Sequence, residues 1–226
     1  MKTIPIKADT ASVLQLKIRL LGISPMVWRR VVVAEEMSLR DLHGVVQAVM
    51  GWDGIHLFEF NIQGARYTSP NLCGEPTSKM LSAFRFRKNA KFRYIYDMGA
   101  WWEHEVRVED RFTAVVGKRY PMCIGGAGAC PPEDCGGVHG YLARREEATG
   151  LDAYNDLDTL IDFIDRAVLK GDPSVLDDED QRWRIEMAVE RSGSRIPFLE
   201  AKFSRQAVNK GLRADEHRRL MHQQVM

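Results

Sequence analysis

Hydrophobic and polar residues alternate from the start. In VLQLKIRL (13–20), Leu14, Leu16, Ile18 and Leu20 fall on one side, and Gln15, Lys17 and Arg19 on the other. That period of two predicts a half-buried strand. Gly22 and Pro25 break the run, and residues 28–33 predict a second strand, antiparallel to the first. The period then changes. Leu39, Leu42, Val45, Val46, Val49 and Met50 recur at helical spacing, with Ser38 and Asp41 placed as a capping box and Gly51 as the closing cap. HLFEFNIQG (56–64) returns to alternation, with His56, Phe58, Phe60 and Ile62 on one face, and residues 65–83 read as irregular. FRYIYD (92–97) and WWEHEVRVED (101–110) predict a hairpin around the DMGA turn. Its second strand sets Trp102, His104, Val106 and Val108 on one face, and Trp101, Glu103, Glu105 and Arg107 on the other.

Glycine and proline crowd into GGAGACPPEDCGGVHGY (125–141), which reads as neither regular helix nor regular strand. Beyond it YNDLDTLIDFIDRAVLKGD predicts a helix with Leu157, Leu160, Ile161, Ile164 and Val168 on one face, and further helices follow. The expected class is α+β: an antiparallel sheet packed by an N-terminal helix, with C-terminal helices. A domain over 12–190 and a basic, helical tail over 191–226 are the expected divisions.

Composition changes this picture little. The 226 residues are 45% hydrophobic and 28% charged with a net charge of +1, which suits a soluble globular chain. No apolar run reaches the roughly 20 residues of a membrane span. MKTIPIKADTAS holds no apolar signal core, so a cytoplasmic setting with no membrane partner is expected. Charge is unevenly spread: residues 141–200 carry 15 acids against 8 basic residues, while residues 201–226 carry 6 basic residues against 2 acids. The tail is expected to be a solvated helix, with contact to an acidic partner or nucleic acid as the other reading.

Three blocks, DLHGVVQAVMGWDGIHLFEF, YIYDMGAWWEHEV and YPMCIGGAGACPPEDCGGVHGY, resemble those of the plasmid pRiA4b ORF-three-like family, related to transposon passenger proteins of the TnpR type. The resemblance covers roughly residues 12–170, and its PPEDCGG run is the most specific part. It implies a single α+β domain associated with plasmids and mobile elements, and brings no established activity. One departure touches chemistry. The family's DFGD turn stands here as Asp97-Met98-Gly99-Ala100, without its second acid.

Two sites are candidates. Cys123, Cys130, Cys135 and His139 offer thiolate and imidazole donors for zinc, although the C-x6-C-x4-C spacing differs from short zinc knuckles. Small buried thiols that pin the loop explain the same cysteines. A pocket lined by Asp97, Trp101, His104, Glu133, Asp134 and His139, with His56 nearby, offers carboxylates and imidazoles for a divalent metal or for acid–base work. Core histidines and turn-capping acids explain those residues too. FRFRKNAKFRY (84–94) interleaves basic and aromatic residues, as a single-strand binder or an ordinary amphipathic strand would. The function expected is a non-enzymatic binding or accessory module with a protein or nucleic-acid partner. The alternative is a metal-dependent phosphodiester hydrolase.

Overall fold

The alternating runs build the sheet. A computed structural model describes residues 11–199 and 202–222. Strand β1 (Ser12–Leu20) pairs antiparallel with β2 (Trp28–Ala34), and Leu14, Leu16 and Ile18 are fully buried. α1 (Leu39–Met50) is held at its start by a complete Ser38–Asp41 capping box and closed by Gly51 at φ 85°. Then come β3 (Phe58–Ile62), β4 (Ala65–Thr68), the two-residue β5 (Glu75–Pro76), β6 (Lys91–Tyr96), β7 (Trp102–Thr113) and β8 (Met122–Ala127). They form one eight-stranded sheet in the order β5-β4-β3-β6-β7-β1-β2-β8, antiparallel except for the β4–β5 pair. The protein is thus a mixed α and β fold with a mostly antiparallel sheet and several helices.

Two stretches expected to be irregular are partly regular. Residues 65–83 contain β4, joined to β3 through Gln63 (φ 51°) and Gly64 (φ 83°). Two successive positive φ values make the tight turn whose twist suits a hairpin. The glycine-rich run also divides: residues 125–127 finish β8, and residues 137–141 open α2 (Gly137–Ala148). Glycine serves close approach here. A Cβ on Gly126 would stand 2.7 Å from the Phe203 ring and 2.9 Å from the Trp28 carbonyl oxygen.

The described residues fall in two compact units, 11–133 with 202–222 and 134–199. In the first, the basic tail is not a solvated appendage. α5 (Arg205–Arg213) and α6 (Glu216–Leu220) bury Leu212, His217 and Leu220. α6 lies so close to α1 that a Cβ on Gly44 would reach 2.1 Å from the His217 carbonyl oxygen. Along β8, the Asn209 side chain accepts from the Cys123 N–H at 2.9 Å and donates to the Cys123 carbonyl at 2.7 Å. It takes the place of a neighbouring strand on an edge that would otherwise be open. Arg29 ties the same region together, donating to Val49 O at 2.8 Å and to Ala127 O and Gly128 O at 3.0 Å each.

The second unit is helical: α2, α3 (Leu151–Phe163) running into a π turn at Ile164–Leu169, and α4 (Glu179–Arg195). Its buried centre includes Asp156, paired with Arg191 and Arg195. Leu157, Ile161, Ile164 and Val168 of the expected apolar face are exposed.

Candidate functional site

At one end of the first unit's sheet the β6–β7 turn sets Asp97 and Trp101 in the left-handed region, with φ 58° and 55°. Trp101 N–H donates to Asp97 O at 2.7 Å, and Gly99 N–H donates to Asp97 Oδ1 at 2.9 Å. A bulky residue at positive φ is strained, and such outliers mark places where the surrounding structure dictates the backbone. The result is an indole about half exposed at the turn.

Facing Asp97 is His56, which lies just before β3 and not within it. Its Nε2 is 3.8 Å from Asp97 Oδ2 and 3.9 Å from Glu133 Oε1. Glu133 arrives on the PPED segment, and four bonds fix that segment. Trp52 Nε1 donates to Pro131 O at 2.9 Å, and Trp102 Nε1 donates to Glu133 O at 3.2 Å. The Tyr96 hydroxyl donates to Glu133 Oε1, and Asp53 N–H donates to Glu133 Oε2 at 2.6 Å. Burial, together with the bond to Glu133, raises the Tyr96 phenol far above its ordinary value, so it stays a neutral donor. The sequence held the clue to the indole bonds. A buried tryptophan N–H needs an acceptor, and a loop that must lie against Trp52 and Trp102 supplies carbonyls.

His104, grouped by sequence with these residues, lies elsewhere. It is fully buried in the core, its ring 5.3 Å from that of Tyr94 and 5.5 Å from that of Trp52. Burial lowers its pKa to about 4, so it is a neutral core imidazole near pH 7. His43 of α1 is its counterpart. Stacked on Phe58 at 3.7 Å and sharing a 2.7 Å hydrogen bond with the Tyr94 hydroxyl, it is lowered to about 3 by burial. Gln47 also donates to that hydroxyl, at 2.8 Å.

The zinc candidates divide between the units, Cys123 and Cys130 in the first and Cys135 and His139 in the second. All four cysteines of the chain are thiols. Burial pushes the Cys123 and Cys135 pKa values up, which favours the protonated form. Cys123 donates to Gly125 O at 3.4 Å, within strand β8. Asp134 and His139 are exposed residues of the second unit.

Of the basic run at 84–94 only residues 91–94 lie in a strand, β6; Phe84 ends a 3-10 turn and residues 85–90 form a loop. Phe84, Phe86, Phe92 and Tyr94 are buried, and the first three stack in a ladder with centroids 5.3 and 5.2 Å apart. Outside, Lys88 pairs with Asp110 at 3.4 Å, Lys91 with Glu105 at 2.9 Å and Arg93 with Glu103 at 3.4 Å. The aromatic faces are thus taken up by the core and three of the five cations are paired, while Arg85 and Arg87 stay exposed.

The residues that pin the PPED segment lie within a match to the description "Plasmid pRiA4b ORF-3-like protein" over residues 12–166. The chain belongs to the plasmid pRiA4b ORF-3-like family. Its similarity extends to "Uncharacterized protein y4hQ" of Sinorhizobium fredii (strain NBRC 101917 / NGR234), 40% identical over 137 residues, which are 58% of this chain and 70% of that relative. A crystal structure described as a protein of unknown function, MM3350 from Methanosarcina mazei Go1, is 35% identical. It superposes with a TM-score of 0.60 over 66% of this chain and 88% of its own. α5 and α6, which cover β8 and α1, lie beyond the family match. No helix among the described residues is long and apolar enough to cross a membrane.

Proposed function

We propose that this pRiA4b ORF-3-like chain is a non-enzymatic binding module, an accessory of mobile elements in the cytoplasm, whose partner is a protein. Glu133 carries the reading. The acid at the heart of the family's most specific motif accepts a bond on each carboxylate oxygen, from Tyr96 and from Asp53. A general base or metal ligand needs an oxygen available to the reactant; this carboxylate instead fastens a loop to a sheet. The neutral, buried His104 serves the same core. What the neighbouring β6–β7 turn presents outward is Trp101, about half exposed, a small surface suited to contact. The neutralised basic face of β6 favours a protein over a nucleic acid.

The alternative, a divalent-metal phosphodiesterase, draws on His56 and Asp97, whose Nε2 and Oδ2 stand 3.8 Å apart. One paired experiment separates the two. Glu133→Gln keeps an acceptor oxygen for one donor, turns an amide N–H toward the other, and is expected to cost about 1–2 kcal/mol, a Tm fall of roughly 3–6 °C. The wild-type protein is expected to leave bis-p-nitrophenyl phosphate uncleaved with added Mn²⁺, Mg²⁺ or Zn²⁺. Metal-dependent cleavage lost in Asp97→Asn at unchanged Tm would overturn the module reading.

A further inference from the structure

The second unit carries an apolar seam that its own helices leave uncovered. Along α3 and into the π turn, Tyr154, Leu157, Ile161 and Ile164 are spaced 3, 4 and 3 residues apart and are 67%, 52%, 55% and 49% exposed. Single exposed apolar residues need no explanation, but a line of four at coiled-coil spacing on one helix is the seam another helix packs into. The face of α3 that meets α4 is a different one, centred on Asp156 and its bonds to Arg191 and Arg195.

Charge says what covers the seam. Asp158 and Asp165 each follow an apolar seam residue, Leu157 and Ile164, and occupy the flanking positions that in paired helices meet the partner's charges. Beside them a cleft of about 450 Å³ is lined by four acids, Asp158, Asp162, Asp178 and Asp180, with the cation Arg184 among them. Lys170 and Arg166 reach back to Asp165 and Asp162, a partial neutralisation from the same helix. The unit as a whole, residues 134–201, holds sixteen acids against eight basic residues, a net of −8. A second copy would bring the same acids to the same edge, and like charges facing one another oppose pairing.

We infer that the α3 seam is a docking face for an amphipathic helix of a partner protein, one with aliphatic residues at seam spacing and Lys or Arg along its flanks. The inference rests on the binding-module reading and supplies its partner class. Leu157, Ile161 and Ile164 fill the partner's seam, and Asp158 with its neighbouring acids sets the partner's orientation by charge.

The test is fluorescence anisotropy of the full chain with a labelled 21-residue helical peptide bearing Leu at seam positions and Lys at the flanks. The control is the same peptide with Glu at the flanks. Saturable binding of the Lys peptide is expected, with the Glu peptide at least about tenfold weaker and the affinity falling with salt. Leu157→Ser/Ile161→Ser, at exposed positions and checked for fold by circular dichroism, is expected to weaken binding about tenfold or more. Asp158→Asn/Asp162→Asn is expected to weaken it several-fold and to flatten the salt dependence. Equal binding of the two peptides, no saturable binding, or an unaffected double-Ser variant would overturn the inference. So would a wild-type dimer in light scattering that becomes monomeric in the double-Ser variant, since the seam would then belong to a second copy. Metal-dependent phosphodiester cleavage would defeat the module reading, while peptide binding is read from the docking face alone, so the two failures are told apart.

Discussion

The most deeply buried titratable side chains of the first unit include two neutral imidazoles, His43 and His104, walled by the rings of Phe58, Tyr94 and Trp52. In the second the buried group is a carboxylate, Asp156, held by Arg191 and Arg195, while aliphatic side chains of the same helix face water. The difference follows from what each has to work with. An eight-stranded sheet together with α1, α5 and α6 gives the first unit enough apolar surface to enclose Trp102, Tyr94, Tyr96, Phe58 and Phe60 almost completely. Three helices of 12 to 17 residues enclose much less. A buried ion pair fixes how they meet, at a desolvation cost that limits its net contribution. Polar groups inside and an aliphatic line outside suit a unit that completes its apolar packing on binding.

Acid should separate the two most widely. Unfolded imidazoles titrate near their ordinary 6.5, whereas in the folded first unit His43 protonates only near about 3 and His104 near about 4. As pH falls below 6.5 the unfolded state therefore takes up protons that the folded state refuses. Stability is full above 6.5 and declines by about 1.4 kcal/mol per pH unit for each imidazole. The decline from His104 ends near about 4 and that from His43 near about 3. Asp156 has a different window. Hydrogen bonds from Arg191 and then Arg195 lower its pKa from 3.8 to about 2, so its contribution is full above 3.8 and is lost as pH falls toward about 2. Hydrogen exchange against pH is expected to show β3, β6 and β7 losing protection between pH 6.5 and 4, with α3 and α4 protected to lower pH. Loss of both at one midpoint below pH 4 would break the comparison.

Removing the clamp comes next in size. Asp156→Ala leaves the Arg195 guanidinium buried without its carboxylate, and Arg191 half exposed beside it. The expected cost is about 3 kcal/mol, at the low end for a broken buried pair because Arg191 reaches solvent. Hydrogen exchange should place the loss in α3 and α4 and leave β1, β2 and β7 unchanged. A loss of less than about 0.5 kcal/mol would mean that the pair is as weak as exposed ones, and that the second unit is held by something else.

Much of the first unit was legible because its patterns are local. The stripe of α1, its Ser38–Asp41 box, the alternation of β1 and the hairpin around Asp97 each need only a few neighbouring residues to define them. β4 was missed because its turn signal is the pair Gln63–Gly64 in place of Asn-Gly, with glutamine accepting φ 51°. The tail was misread for a different reason. Its basic residues point outward and dominate the charge count, while Leu212, His217 and Leu220 are buried against elements more than 80 residues away in sequence. The candidate site was legible by residue type and not by role. Glu133, Asp97 and His56 do converge, but burial alone separates His104 from them, and the bonds that occupy Glu133 come from Tyr96 and Asp53, residues no spacing rule connects to it.

The smallest expected effect tests the outer half of the comparison. Ile161 is 55% exposed, so Ile161→Ser removes little buried area and should change stability by less than about 0.5 kcal/mol. The matching change at a fully buried aliphatic of the first unit, Leu42→Ser, removes a core side chain and places a hydroxyl in α1's apolar face, at a cost of several kcal/mol, about 3 or more. Chemical denaturation of the two variants gives the ratio directly. Near neutrality at position 161 means that the isolated protein gains nothing from this isoleucine, and that the side chain is available to a partner. A loss of about 2 kcal/mol at position 161 would instead mean that the seam is already covered within the free protein. The second unit would then have a larger apolar core than Val175, Ile185, Ala188 and Phe198 already give it, and the contrast between the two units would be one of size alone.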